Sequence, residues 1–170
     1  ARLLVARLST LHPTLFWFGN HIRCFPNWTP APFVVDGVRC VNAEQYMLAD
    51  RARLFAEENS WNQIMNAKDP RKHKQLGRRV NNFNPTIWQQ KRVAIVTRAN
   101  NAKFSQIPEM GLLLLRTGTK LLIETRHSDN MWGNGPRADN LAALLPTSWQ
   151  DQHLLCPALQ QVCTWLAADQ

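Results

Sequence analysis

Residues 42–55 read Asn42-Ala43-Glu44-Gln45-Tyr46-Met47-Leu48-Ala49-Asp50-Arg51-Ala52-Arg53-Leu54-Phe55, and the rest of the chain is organised around them. Asn42 is a good helix N-cap, and Gln45 three residues on completes a capping box. Ala, Met, Leu and Arg fill the interior, all strong helix formers. Glu44, Leu48, Arg51 and Phe55 fall on one stripe, so this mostly apolar face should point inward. A carboxylate on such a face needs a partner or a task, because burying a charge is costly. The ordinary reading is that Glu44 simply suits a helix N-terminus, where negative charge is welcome.

Upstream, Phe33-Val34-Val35 and Val38-Arg39-Cys40 flank Asp36-Gly37, a strong hairpin signal leading straight into the helix. Residues 20–32 hold Pro26, Pro30 and Pro32 and read as an irregular loop. Leu15 to Gly19 is aromatic and short, a strand. Residues 1–13 are ambiguous.

Downstream, Ser60 with Gln63 reads as a second capping box that opens a short helix through Ala67. Asp69-Pro70 starts another helix, with Pro at its first position. Arg71, Lys72, His73, Lys74, Arg78 and Arg79 make it strongly basic. Asn84-Pro85 repeats the start signal for a long helix to about Ala102, with Trp88, Lys91, Ile95, Arg98 and Ala102 near one face. Pro108 begins a helix ending at Gly118, and residues 120–125 read as a buried strand. Residues 127–136 form a polar, Gly-rich loop of the kind that often carries function. Residues 137–148 are weakly patterned. A last helix runs from Gln150 to Ala168, with Pro157 constraining its start. There is no repeat, low-complexity segment or linker. The sum is one α+β domain over residues 1–170, mostly helical with a small β-sheet.

At 170 residues such a domain can bury a real core. The net charge of +8 and pI near 9.9 point to an anionic partner, phosphate or nucleic acid, unless the surface is merely basic. Cys24, Cys40, Cys156 and Cys163 form no C-x-x-C pair, and no His cluster stands near them at zinc spacing. They read as reduced thiols of a cytoplasmic protein without a metal, with a Cys24–Cys40 bridge left open. No run is long enough to span a membrane, and Arg7 interrupts the apolar stretch from Leu3 to Leu11.

Glu44, Trp88 and the Asp129…Trp132-Gly133 loop are candidates for one pocket. Two carboxylates and two indoles suit cleavage of a bond between a sugar and a flat base. The sugar gains positive charge as that bond breaks, and a carboxylate can stabilise the charge or activate water. An indole can stack on the departing base, and glycines let backbone N–H groups approach phosphate.

The chain resembles the NADAR, or YbiA-like, N-glycosidases. The matching residues include Phe25-Pro26-Asn27-Trp28, Pro32-Phe33-Val34-Val35-Asp36-Gly37 and Ala43-Glu44-Gln45-Tyr46-Met47. They continue through Asp69-Pro70, Lys74-Gln75-Leu76-Gly77-Arg78, Phe83, Trp88 and Lys103-Phe104-Ser105-Gln106. Leu113 to Gly118 and Asp129-Asn130-Met131-Trp132-Gly133-Asn134-Gly135 complete a resemblance over roughly residues 15–166. It implies a YbiA-like fold and hydrolysis of an N-glycosidic bond. Family members act on phosphorylated ribosylamine intermediates of riboflavin synthesis, or on ADP-ribose attached to guanine in nucleic acid.

Mapped by this resemblance, the functional glutamate falls on Glu44, the loop residues on Asp129, Trp132 and Gly133, and the other tryptophan on Trp88. Asn27, Lys74 and Arg78 are the expected further substrate contacts. The aromatic start, Phe16-Trp17 through Trp28, looks more like the guanine-directed members. No cofactor, metal or membrane is expected, and the partner is an ADP-ribosylated guanine nucleoside or nucleic acid. The oligomeric state is left open.

One departure matters. The family usually has Lys seven residues after the glutamate, and here Arg51 stands there. A lysine can attack a sugar carbon once its pKa is lowered, whereas arginine stays protonated and has no usable lone pair. A lysine route here would therefore need Lys74 or another group. Arg51, seven residues from Glu44, is expected on the same helix face, pairing with Glu44 or with substrate phosphate. His153 and Cys156 stand where the family commonly has Asn and Gly. The rival readings are the riboflavin-type substrate, and an ADP-ribose-binding module that has lost turnover. A plain nucleic-acid binder has no recognisable motif behind it, and the basic run 71–79 reads first as a solvated helix face.

Overall fold

The structure is a computed structural model, and it describes residues 14–19, 24–125 and 154–169. These carry four strands and six helices in the order β1 (Leu15–Gly19), β2 (Phe33–Val35), β3 (Val38–Cys40), α1 (Ala43–Leu54), α2 (Glu58–Asn66), α3 (Pro70–Arg78), α4 (Pro85–Gln106), α5 (Pro108–Leu115), β4 (Leu121–Thr125) and α6 (Leu155–Ala168). The expected mostly helical α+β class is the observed one. The chain divides into two compact units, residues 1–26 with 109–170, and residues 27–108.

In the first unit β1 pairs in parallel with β4, from Leu15 opposite Leu121 to Gly19 opposite Thr125. Parallel neighbours need a long crossover, and here most of the chain lies between the two strands. α6 packs on β4 and buries Leu155, Ala158, Leu159 and Val162. Phe25 meets Phe18 edge-on at 5.3 Å between ring centres, and Phe16 at 5.8 Å. Burial pushes the Cys156 thiol up to about 12, which keeps it protonated and inert.

The second unit is built around α1. Asn42 caps it, its side-chain oxygen accepting the Gln45 N–H at 2.7 Å. The Gln45 side chain reaches one residue further back than a standard box, accepting from Val41 N at 2.8 Å, and its Nε2 donates to Ile64 and Met65 carbonyls at 3.2 Å. Eight of the twelve α1 residues are buried, because α2, α3, α4 and β3 all pack on it, so its apolar contact is far wider than one stripe. β2 and β3 pair antiparallel through a turn with positive φ at both Asp36 and Gly37, the mirror-image turn that Asp-Gly favours. Gln106 of α4 brackets Val34, accepting its N–H at 2.9 Å and donating to its carbonyl at 2.7 Å.

Three local expectations shift. α2 starts at Glu58, not Ser60: the Ser60 hydroxyl donates back to the Glu57 carboxylate at 3.3 Å, so it does not cap. α4 runs to Gln106, and its buried face follows Trp88, Arg92, Ile95, Val96, Ala99 and Lys103, leaving Lys91 and Arg98 exposed. Arg98 turns outward to pair with Asp36 in the hairpin turn. α5 ends at Leu115, with Gly118 at positive φ in the turn beyond. The bridge left open between Cys24 and Cys40 is not formed, since Cys40 is a buried reduced thiol.

Candidate functional site

Glu44 lies in the first turn of α1 and is 6% exposed. Its backbone N–H donates to the Asn27 carbonyl at 2.9 Å, which ties Asn27 to the start of the helix. Its carboxylate Oε1 lies 3.3 Å from the Lys74 ammonium, and Lys74 remains partly open to solvent.

Lys74 reaches Glu44 because α3 is held close to α1. Asp69 caps α3, accepting the Arg71 N–H at 2.9 Å. His73, fully buried, sets its Nε2 2.7 Å from the Ala67 carbonyl and anchors the first turn. Gly77 then meets Leu48 of α1. A methyl group on Gly77 would lie 2.5 Å from Leu48 Cδ2 and 3.2 Å from its Cγ. A side chain at position 77 would force Leu48 or α3 to give way.

Arg51 does not pair with Glu44. Its guanidinium carbon sits 3.9 Å above the centre of the Phe83 ring and 5.4 Å from that of Trp88. Phe55 packs edge-on against Phe83 at 5.3 Å, completing an aromatic seat between α1 and α4. Burial lowers the Arg51 pKa from its ordinary value, and its Nε is buried without a hydrogen-bond partner among the described residues. A half-buried cation on rings, without a carboxylate partner among the described residues, is suited to receive an anion.

Trp88 is 5% exposed and belongs to the core of its unit, so little of its face is open to a base. Arg78, the last residue of α3, is exposed. Asn27 is 8% exposed. Asp129, Trp132 and Gly133 lie outside the described residues. The structure thus brings Glu44, Lys74 and Asn27 together, and Arg51 with Trp88. It adds Phe83, as the platform under Arg51, and Asn100, whose fully buried carboxamide donates to Asn27 Oδ1 at 2.9 Å. A polar residue on the apolar face of α4 was the available signal for Asn100. Among the described residues no three His, Cys, Asp or Glu side chains gather at metal-ligand spacing.

Comparison with known proteins fits this geometry to a family. Residues 15–167 match the NADAR domain model, across both units. The chain belongs to the NADAR family. It is 40% identical over 149 residues to N-glycosidase R617 of Acanthamoeba polyphaga mimivirus, covering 85% of this chain and 86% of that one. It is 29% identical over 111 residues to N-glycosidase YbiA of Escherichia coli strain K12, covering 65% of this chain and 68% of YbiA. The fold is that of the NMR structure of the E. coli protein YbiA, with a TM-score of 0.75 at 24% identity over 92% of this chain and 86% of that one.

Proposed function

We propose that this chain is an N-glycosidase and that its substrate is ADP-ribose joined to guanine, as the nucleoside or within nucleic acid. The observation that carries the reading is the nearly buried Glu44 carboxylate at the N-terminus of α1, with the Lys74 ammonium 3.3 Å away. The family, with relatives named N-glycosidases, supports the reaction class. The excess of basic residues favours the larger, doubly phosphorylated substrate.

The C–N bond between the ribose carbon and the base breaks with its electron pair going to the base. Glu44 faces the positive charge left on the sugar, or takes a proton from the water whose oxygen bonds to that carbon. The base nitrogen gains a proton and the sugar gains a hydroxyl, so no redox partner is needed. Lys74 holds the Glu44 carboxylate in place, and Arg51 on its aromatic seat supplies a fixed cation for phosphate.

The test is incubation with ADP-ribosylated guanosine and, separately, with a phosphorylated ribosylamine of the riboflavin type. Release of free ADP-ribose from the first, with no release from the second, supports the proposal. Release from the second alone makes the protein the riboflavin-type enzyme. Binding of ADP-ribose without release from either makes it a binding module.

A further inference from the structure

The geometry points to Asn27 as a one-way hydrogen-bond donor to a substrate oxygen, with Asn100 as the positioning residue that fixes its polarity. Asn100 is fully buried on α4, and its Nδ2 lies 2.9 Å from the Val96 carbonyl and 2.9 Å from Asn27 Oδ1. A carbonyl can only accept, so the Asn100 atom facing Val96 must be the nitrogen. That nitrogen has two hydrogens, one for each partner. The Asn27 atom facing it must therefore be the oxygen, which sends the Asn27 Nδ2 the other way.

That second amide group is the unspent one. Asn27 is 92% buried, the complement of its 8% exposure, yet its Nδ2 makes no hydrogen bond among the described residues and is not sealed from solvent. Water meets such a donor in the free protein, and a bound molecule that displaces the water must supply an acceptor in its place. The Asn27 backbone meanwhile accepts the Glu44 N–H at 2.9 Å, so the unspent donor belongs to a residue joined directly to the start of α1. The acceptor it awaits is an oxygen of the bound molecule: a ribose hydroxyl or ring oxygen, or a phosphoryl oxygen. A ligand presenting an N–H at that point would meet a donor and be rejected. The polarity lock stands on geometry alone; the identity of the oxygen carrier rests on the N-glycosidase reading.

Two arms test this. In the full-length protein labelled with ¹⁵N, side-chain amide exchange needs no substrate: the Asn100 NH₂ should be strongly protected and the Asn27 NH₂ should exchange fast. Equal protection of both amides would overturn the lock. The second arm measures kcat, KM and Tm on ADP-ribosylated guanosine for Asn27→Ala, Asn100→Ala and the double variant. Each single change should lower kcat/KM by about tenfold or more, and the double variant should be no worse than Asn27→Ala alone. A purely structural Asn100 would lower Tm and leave kcat and KM untouched; kinetic losses that multiply in the double variant would show that Asn100 acts independently of Asn27. Should Asn100→Ala not fold, Asn27→Asp, which keeps the shape and the acceptor facing Asn100 and removes the donor, must show the same kinetic loss while still melting as a folded protein; wild-type kinetics there would refute the inference. If the starting protein turns over no substrate, the glycosidase reading falls while the exchange arm still decides the lock.

Discussion

Gly77→Ala is the sharpest probe of how the Glu44–Lys74 pair is assembled. The new methyl group would fall 2.5 Å from Leu48 Cδ2, 3.2 Å from Cγ and 3.4 Å from Cβ. Ordinary carbon contacts lie near 3.5–4.0 Å, so α3 and Leu48 must separate by about 1 Å. Leu48 is itself 6% exposed, with little room to swing away. The overpacking costs about 1–3 kcal/mol, offset by about 1 kcal/mol because Ala suits a helix better than Gly. The net loss is about 1 kcal/mol, or about 2–4 °C in Tm for a chain of this size. Activity should suffer more. A retreat of that size takes Lys74 Nζ from 3.3 Å to beyond pairing distance of Glu44, and a misplacement of about 1 Å can cost about 10²-fold in rate. Leu48→Ala in the same chain removes the clashing carbons. It lowers stability by about 2–5 kcal/mol, yet should restore turnover towards the starting rate. Initial rates on ADP-ribosylated guanosine and thermal melts of the two variants decide the matter. Wild-type turnover in Gly77→Ala, or no recovery in the double variant, would refute the claim that this approach positions the pair.

Other outcomes follow from the same geometry. Glu44→Gln should fold with native Tm to within a few degrees and lose most turnover, measured by product release, because it keeps the shape and discards the charge. Arg51→Lys should retain more activity than Arg51→Ala, since a cation survives over Phe83; equal rates in both, matching the starting protein, would remove Arg51 from the site. Trp88→Ala should cost about 3–5 kcal/mol in a denaturant melt, as a core tryptophan does. Burial raises the Asp50 carboxyl pKa, so the folded state holds that proton more tightly than the unfolded chain. The carboxylate therefore costs stability at neutral pH, and the cost fades as pH falls towards the unfolded carboxyl pKa of about 3.9. Asp50→Asn should accordingly raise Tm at pH 7 and lose that gain below about pH 4; a gain that persists in acid would point away from ionisation.

What could be read in the sequence was what forms locally. The Asn42 cap, the Asp36-Gly37 turn and the Asp69-Pro70 and Asn84-Pro85 starts each act within a few residues, and each element stands where it was expected. The parallel pairing of β1 with β4 joins segments about a hundred residues apart, and no local pattern encodes it. Lys74 was visible as a motif residue, but its contact with Glu44 depends on Gly77 passing close to Leu48, a fact of packing. The spacing of Arg51 from Glu44 suits pairing with that carboxylate or with substrate phosphate; the rings of Phe83 and Trp88, from further along the chain, hold Arg51 and leave the pairing with Glu44 unmade. Asn100 carries little signal in the sequence, because a single amide on an apolar helix face gains meaning only from Asn27 across from it.

The clasp of Gln106 on Val34 has a consequence for how molecules behave at high concentration. In the three-residue strand β2, Phe33 and Val35 stand opposite Cys40 and Val38, and the backbone of Val34 turns away from β3. A bare rung of this kind invites a strand from another molecule to add on. One glutamine carboxamide presents the same donor and acceptor that such a strand would bring, and so occupies the rung from within the chain. The outer edge of β2, in the hairpin that delivers α1, is thereby closed to an added strand, although Val34 itself is 43% exposed.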